Sequence, residues 1–226
     1  MIENSTLEKA AQSGISRRRF FGYAGALAGA GLITSMASCQ KEEEPGTNIG
    51  SGDSGILNYA YILEQLEAAF YIQVVATPYI GMNAVEKDYF TDIRNHEIAH
   101  REFLKNVLGG AAITALEFDF SSVDFQKRTS VLDTAIAFED VGVSAYNGAA
   151  QLLNSADNLA VAGKIVSVEA RHAAALRDLK LSGTFADNTV VNDANGLDSA
   201  RSPEEVLAIV RPYIKTKLNA ENLPKG

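Results

Sequence analysis

Two short patterns, Glu97-x-x-His100 and Glu169-x-x-His172, lie seventy-two residues apart. A lone glutamate on another stretch precedes each one, Glu64 before the first and Glu139 before the second. A glutamate and a histidine three residues apart project from the same face of a helix. One helix can therefore supply a bridging carboxylate and a terminal nitrogen, and a lone Glu on each of two further helices completes the shell of each ion. The order Glu, Glu-x-x-His, Glu, Glu-x-x-His is that of a carboxylate-bridged two-metal site inside a four-helix bundle. Anionic oxygens both neutralise two divalent ions and bridge them. An oxygen-rich shell with one imidazole per ion suits iron or manganese better than a thiolate-preferring metal.

Each lone glutamate has a tyrosine seven residues on, Tyr71 after Glu64 and Tyr146 after Glu139. Seven residues are two helical turns, so each Tyr faces the same interior stripe and can reach a ligand carboxylate across the bundle. The alternative is a pair of ordinary core tyrosines. Glu67 is the main ambiguity in the ligand set, because it lies three residues from Glu64 on the same face. Its counterpart in the second copy is Gly142, which has no ligand, so internal symmetry favours Glu64. The stretch His96-Glu97-Ile98-Ala99-His100 also fits the H-E-x-x-H signature of zinc proteases. No third ligand follows at a helpful distance, however; Glu117, the nearest acid, sits in the apparent crossover loop, and the second Glu-x-x-His stays unexplained. His96 is accordingly taken as a flanking residue.

The elements that must hold these side chains are helical. Over about 54–77, Leu57, Ala60, Tyr61, Leu66, Phe70 and Val74 recur at three- and four-residue steps. Asp53 and Ser54 are the cap candidates, and Pro78 stops the segment. A second segment over about 84–108 opens with Asn83-Ala84-Val85-Glu86, a capping box, and ends at Gly109-Gly110. A third follows Ser121 over about 122–154, and a fourth starts near Ser155 and ends at Ser182-Gly183. Ser202-Pro203-Glu204-Glu205 announces a short last helix. The first and second turns centre near 80.5 and 154.5. These centres leave Glu64 and Glu97 each 16.5 residues away, and Glu139 and Glu169 15.5 and 14.5 residues away. At ~1.5 Å per residue the four carboxylates fall within roughly one turn of a common level. Residues 109–121 reach about 40 Å if extended, enough to cross the bundle's length.

These features predict an all-α fold, a four-helix bundle over 55–181 with a long crossover between its second and third helices and a short C-terminal helix. Residues 182–226 form an extension without an assignable motif. The quoted stretches, from Leu57-Asn58 to Glu64 and Tyr71, His96 to His100, Phe138-Glu139 to Tyr146, and Val168-Glu169 to His172, resemble the ferritin-like superfamily. Within it they are similar to bacterial proteins related to plant desiccation-related proteins. The resemblance covers roughly residues 55–181. It implies a di-iron or di-manganese centre at Glu64, Glu97, His100, Glu139, Glu169 and His172, with oxygen, peroxide or ferrous iron as the small inorganic substrate. The rival implication is a non-catalytic, stress-protective or structural envelope protein on the same fold.

The start of the chain is an address. Ser16-Arg17-Arg18-Arg19-Phe20-Phe21 resembles a twin-arginine export signal. It leads into an apolar stretch from Gly22 to Met36, then Met36-Ala37-Ser38-Cys39, which resembles a lipobox. An apolar run of ~15 residues falls short of the roughly 20 that a membrane span needs. Residues 1–38 are therefore expected to be removed. Cys39, the single cysteine, would carry the lipid and anchor the chain to the membrane, with residues up to 54 as a flexible tether. Gln40-Lys41-Glu42-Glu43-Glu44 resembles the acidic signal that sends some lipoproteins to the outer cell surface. Residues 1–38 hold four of the 20 basic and two of the 28 acidic side chains, so a mature chain carries 16 against 26, a net charge near −10. That acidity excludes nucleic acid as a natural partner and favours cations. A short last helix and an N-terminal anchor predict no closed storage shell, and leave a smaller homo-oligomer open.

Replacing Cys39 with Ala should release the exported protein from the membrane fraction, as cell fractionation will show. Retention of the variant there would remove the lipid-anchor expectation. Replacing Arg17 and Arg18 with Lys should slow or block export.

Overall fold

A computed structural model of the chain describes residues 46–225, so Cys39 and the stretch around Arg17 and Arg18 lie outside the described residues. Four long helices carry the fold: α1 (Gly52–Ala76), α2 (Ala84–Leu108), α3 (Arg128–Ala150) and α4 (Ala156–Lys180). A short α5 (Pro203–Val210) follows, and two two-residue strands, β1 (Thr47–Asn48) and β2 (Leu218–Asn219), pair in parallel. The protein is all-α, built from two helical hairpins, α1–α2 and α3–α4, packed as a four-helix bundle.

Local signals set several ends. Asn83 accepts from the backbone N–H of Glu86 while the Glu86 carboxylate accepts from the Asn83 N–H, a complete capping box at the start of α2. Ser202 and Glu205 make the same reciprocal pair at α5, with Pro203 in the first helical position. Gly109 closes α2 with a positive φ of 54°.

Other ends differ from expectation. α1 begins behind Ser51, and the Asp53 carboxylate leaves its own helix end to serve another. It accepts from the N–H groups of Asn154 and Ser155 and from the side-chain amides of Asn154 and Asn158. Those backbone N–H groups, the first above all, hold its pKa down to about 2. The start of α1 is thereby stitched to the α3–α4 turn. At the opposite end the Arg128 Nε donates to Glu86 and its Nη2 to the carbonyl of Leu179, joining the starts of α2 and α3 to the end of α4.

The third helix starts six residues later than the expected 122. Asp124 captures the N–H of Gln126, and Ser130 captures that of Asp124, so residues 120–127 fold into successive turns instead. The crossover is correspondingly long, running from Gly109 to Lys127. It passes along α1, whose buried polar side chains lace it down. Asn58 donates to the carbonyls of Ile49 and Ala111 and accepts from the Ile113 N–H, and Gln65 accepts from the Leu116 N–H. It reaches the far end where Ile80 N–H donates to the Gln126 carbonyl.

The tether expected through residue 54 is not free from Thr47 onward. Thr47 N–H donates to Lys217 and Ile49 N–H to Asn219, and Ile49 is fully buried. The C-terminal extension also pairs with the crossover through Asp119–Tyr213 and Lys215–Glu117 backbone bonds, and its Val206, Val210 and Leu223 enter the main core. As a result α1 is covered on every side: Asn58–Ala68 are all buried, where a single apolar stripe was expected.

Gly148 of α3 marks how tightly the extension seats. A Cβ there would fall 1.8 Å from the carbonyl oxygen of Arg201, whose N–H and guanidinium bond Ser144. Gly148→Ala gains helix propensity yet forces that backbone away, so the clash decides the sign. A loss of about 1–3 kcal/mol is expected in urea denaturation, with faster proteolysis of residues 184–201.

Candidate metal centre

All six expected ligands converge in one layer. Glu64, Glu97, His100 and Glu169 each offer an atom within 4.8 Å of the others, and so do Glu97, Glu139, Glu169 and His172. Glu97 and Glu169 belong to both groups, with Glu64 and His100 on one side and Glu139 and His172 on the other. The four glutamates are fully buried and His172 nearly so. Nδ1 of His100 lies 2.9 Å from Glu169 and 3.4 Å from Glu64, and Nδ1 of His172 lies 2.9 Å from Glu97 and 3.3 Å from Glu139.

The tyrosines cross between the hairpins. Tyr71 on α1 donates to Oε1 of Glu139 on α3 at 2.6 Å, and Tyr146 on α3 donates to Oε1 of Glu64 on α1 at 2.5 Å. Each bond ties down one carboxylate oxygen and turns the other, Oε2, into the cluster. Burial, then the charge of the bonded glutamate, pushes both phenols well above their usual pKa, so they stay protonated donors. Tyr71 belongs to an aromatic cluster, 5.1 Å edge-on to Phe70, and Tyr146 to a second apolar cluster with Tyr61, Leu104 and Ile165. The ligand layer is therefore walled by packed apolar side chains on both flanks.

Without an ion this layer is electrostatically expensive. Burial, followed by the Glu169 charge, raises the pKa of Glu64 and of Glu97; at Glu139 burial, with the Glu169 charge, outweighs the facing His172 and brings the group up to about 7. For Glu169 burial acts the same way, but close ion-pair contacts with His100 and His172 outweigh it and bring the group down to about 2. Burial opposes charge on both histidines too. Glu169 with Glu64 overcomes it at His100, and Glu139 with Glu169 at His172, pushing each up to about 12. Oε2 of Glu64, both oxygens of Glu97, Oε2 of Glu139, Oε1 of Glu169 and Nδ1 of His100 have no hydrogen-bond partner although buried. Such orphaned donors of metal-binding type, aimed at one another, fit a pair of cations.

Glu67 stands outside both groups. Its carboxyl fills the space that a side chain on Gly142 would occupy, with Oε1 3.0 Å from that Cβ position. Burial, and then the Glu139 and Glu169 charges, hold its pKa well above normal, which favours its protonated form. His96 stays outside the ligand set, as expected of a flanking residue, but it makes a contact that spacing did not predict. Its Nδ1 lies 2.9 Å from Nε2 of His172, and the two rings meet edge to edge and nearly coplanar, with centroids 5.1 Å apart and planes 8° apart. With Nδ1 so engaged, it joins neither ligand group, and the zinc-protease arrangement of His96 with His100 is not formed. A signal was present in the sequence: the chain has three histidines, and all three meet here.

The family model of the ferritin-like domain matches residues 52–181, more than half of the chain. The chain belongs to the ferritin-like domain family. No curated protein matches it. The matched span begins and ends with the four-helix bundle, leaving β1, α5 and β2 as this chain's additions around the family's domain.

Phe at position 71 or 146 should keep the helical signal and weaken metal binding by ~10-fold or more, read by competition with a chelating dye. Unchanged affinity in both variants would return the tyrosines to a packing role. Because metal must displace protons from His100, His172 and the raised glutamates, binding should release protons and strengthen as pH rises. Calorimetry in buffers of different ionisation enthalpy will count them.

Proposed function

We propose that this chain is an exported, lipid-anchored ferritin-like protein that holds two iron or manganese ions and performs redox chemistry on oxygen, peroxide or ferrous iron. The observation that carries the proposal is the sharing of Glu97 and Glu169 between two otherwise separate ligand groups. Glu64 and His100 would complete one ion's shell, and Glu139 and His172 the other's. Bound ions of this kind supply a change of oxidation state and a site for an oxidant. The protein's own part is to hold the carboxylates in a dry layer, with Tyr71 and Tyr146 fixing which oxygen of Glu139 and Glu64 faces inward.

The resemblance of residues 16–21 to an export signal and of residues 36–39 to a lipobox supports a location in the cell envelope, at the outer membrane, and the acidic residues after Cys39 support exposure at the surface. Among the described residues no helix is long and apolar enough to cross a membrane.

Metal analysis of purified protein tests the proposal. About two iron or manganese ions per chain are expected at saturation, with a raised melting temperature by linkage. His172→Ala should lose half of that metal or more. Oxidation of added ferrous iron, or loss of peroxide, should depend on the same residues. A protein that binds one zinc and loses it only with His96→Ala would instead restore the protease reading. A stable protein that takes up no metal would be the non-catalytic envelope form.

A further inference from the structure

The doubled ligand pattern looks symmetric, but the surroundings of its two histidines are not. His172 Nδ1 faces Glu97, Glu139 and Glu169, and its other nitrogen, Nε2, meets Nδ1 of His96 at 2.9 Å. The residue in the place of His96 in the second copy is Val168, which precedes Glu169 and has no ring nitrogen to offer His100. His96 reaches His172 from α2, across the gap to α4, and it is the exposed member of the pair, with its partner buried.

A histidine that binds a metal through one nitrogen keeps its proton on the other. The group that accepts that proton's hydrogen bond fixes the ring's tautomer and orientation and makes the ligating nitrogen a stronger donor. The usual acceptors are carboxylates, carbonyls and water. Here the acceptor position is filled by a neutral imidazole. For the 2.9 Å contact to be a hydrogen bond, one ring nitrogen must donate and the other accept. Nδ1 of His172 is the atom turned to the carboxylates, so Nε2 of His172 carries the proton and Nδ1 of His96 accepts it. The two rings lie within 8° of one plane, the orientation that an in-plane N–H···N hydrogen bond requires.

We propose that His96 is a positioning residue for His172, and that through it the ion held by Glu139 and His172 is bound more tightly than the ion held by Glu64 and His100. The two halves of the centre would then fill in order, the Glu139–His172 side first. This inference rests on the two-ion reading of the cluster.

Cobalt(II) is the probe, because its visible absorption reports the ligand field of each ion as it binds. Metal-free full-length protein is titrated as wild type, His172→Ala, His96→Ala and His96→Asn. Asparagine matters because its Oδ1 can stand where Nδ1 of histidine stands and accept the same hydrogen bond without an imidazole ring. Wild type should fill in two steps, and His172→Ala should lose the tighter one. His96→Ala should weaken that same step by ~10-fold or more and shift its absorption band while the other step stays put. His96→Asn should recover most of the loss. The inference is overturned if His96→Ala leaves both steps unchanged, if it weakens both alike, or if His96→Asn is as weak as His96→Ala. A wild-type protein that binds no cobalt, manganese or iron would bring down the two-ion reading itself, which is a different result from any of these.

Discussion

Four carboxylates brought out of water into one layer repel each other and lose their hydration, and every other part of this fold has to live with that. Two protonated histidines offset part of the repulsion in the absence of ions, and raised pKa values at Glu64, Glu97 and Glu139 relieve more of it by protonation. Neither device satisfies the orphaned oxygens. The stability of the layer therefore has to come from elsewhere: apolar clusters on both flanks, the cross-hairpin tyrosine bonds, and the stitching of the bundle's two ends by Asp53 and by Arg128. A cation pair is the one change that would turn the strain inside the layer into attraction.

Most of what positions that layer could be seen in the sequence, because it depends on local chemistry. The capping boxes at Asn83 and Ser202, the glycine stop at Gly109 and the order of the six ligands are all set within a few residues of chain. The features that escaped are those in which a side chain acts far from its own position. Asp53 looked like a cap for its own helix and instead ties down the turn that leads into the fourth, about a hundred residues on. Residues 122–127 looked like the first turn of α3 until Asp124 and Ser130 took their N–H groups. His96 looked idle because its partner is on another helix, and spacing along one helix carries no information about the facing one.

The C-terminal extension shows the same limit on a larger scale. It has no helical period long enough to announce a role, yet it covers the outer side of α1 and pairs with the crossover. A buried α1 in turn lets Asn58 and Gln65 serve as internal staples for crossover backbone, polar groups that would have been ordinary surface residues on a bundle of four bare helices. Glu67 and Gly142 illustrate how the two halves of the pattern have diverged: a carboxyl in one half occupies the room left by a missing side chain in the other.

The parallel pairing of β1 with β2 has a mechanical consequence. Tension applied along the chain ahead of Gly46 meets the Thr47–Lys217 and Ile49–Asn219 bonds before it meets α1. Pulled along the strand, these bonds are loaded in shear, all together, instead of being peeled one at a time. The ladder is short, but behind it sit Ile49 and Leu223 in the main core. The junction stands where a strain relief would, like the grip where a cable enters a housing, between the leading segment and the helix that carries Glu64.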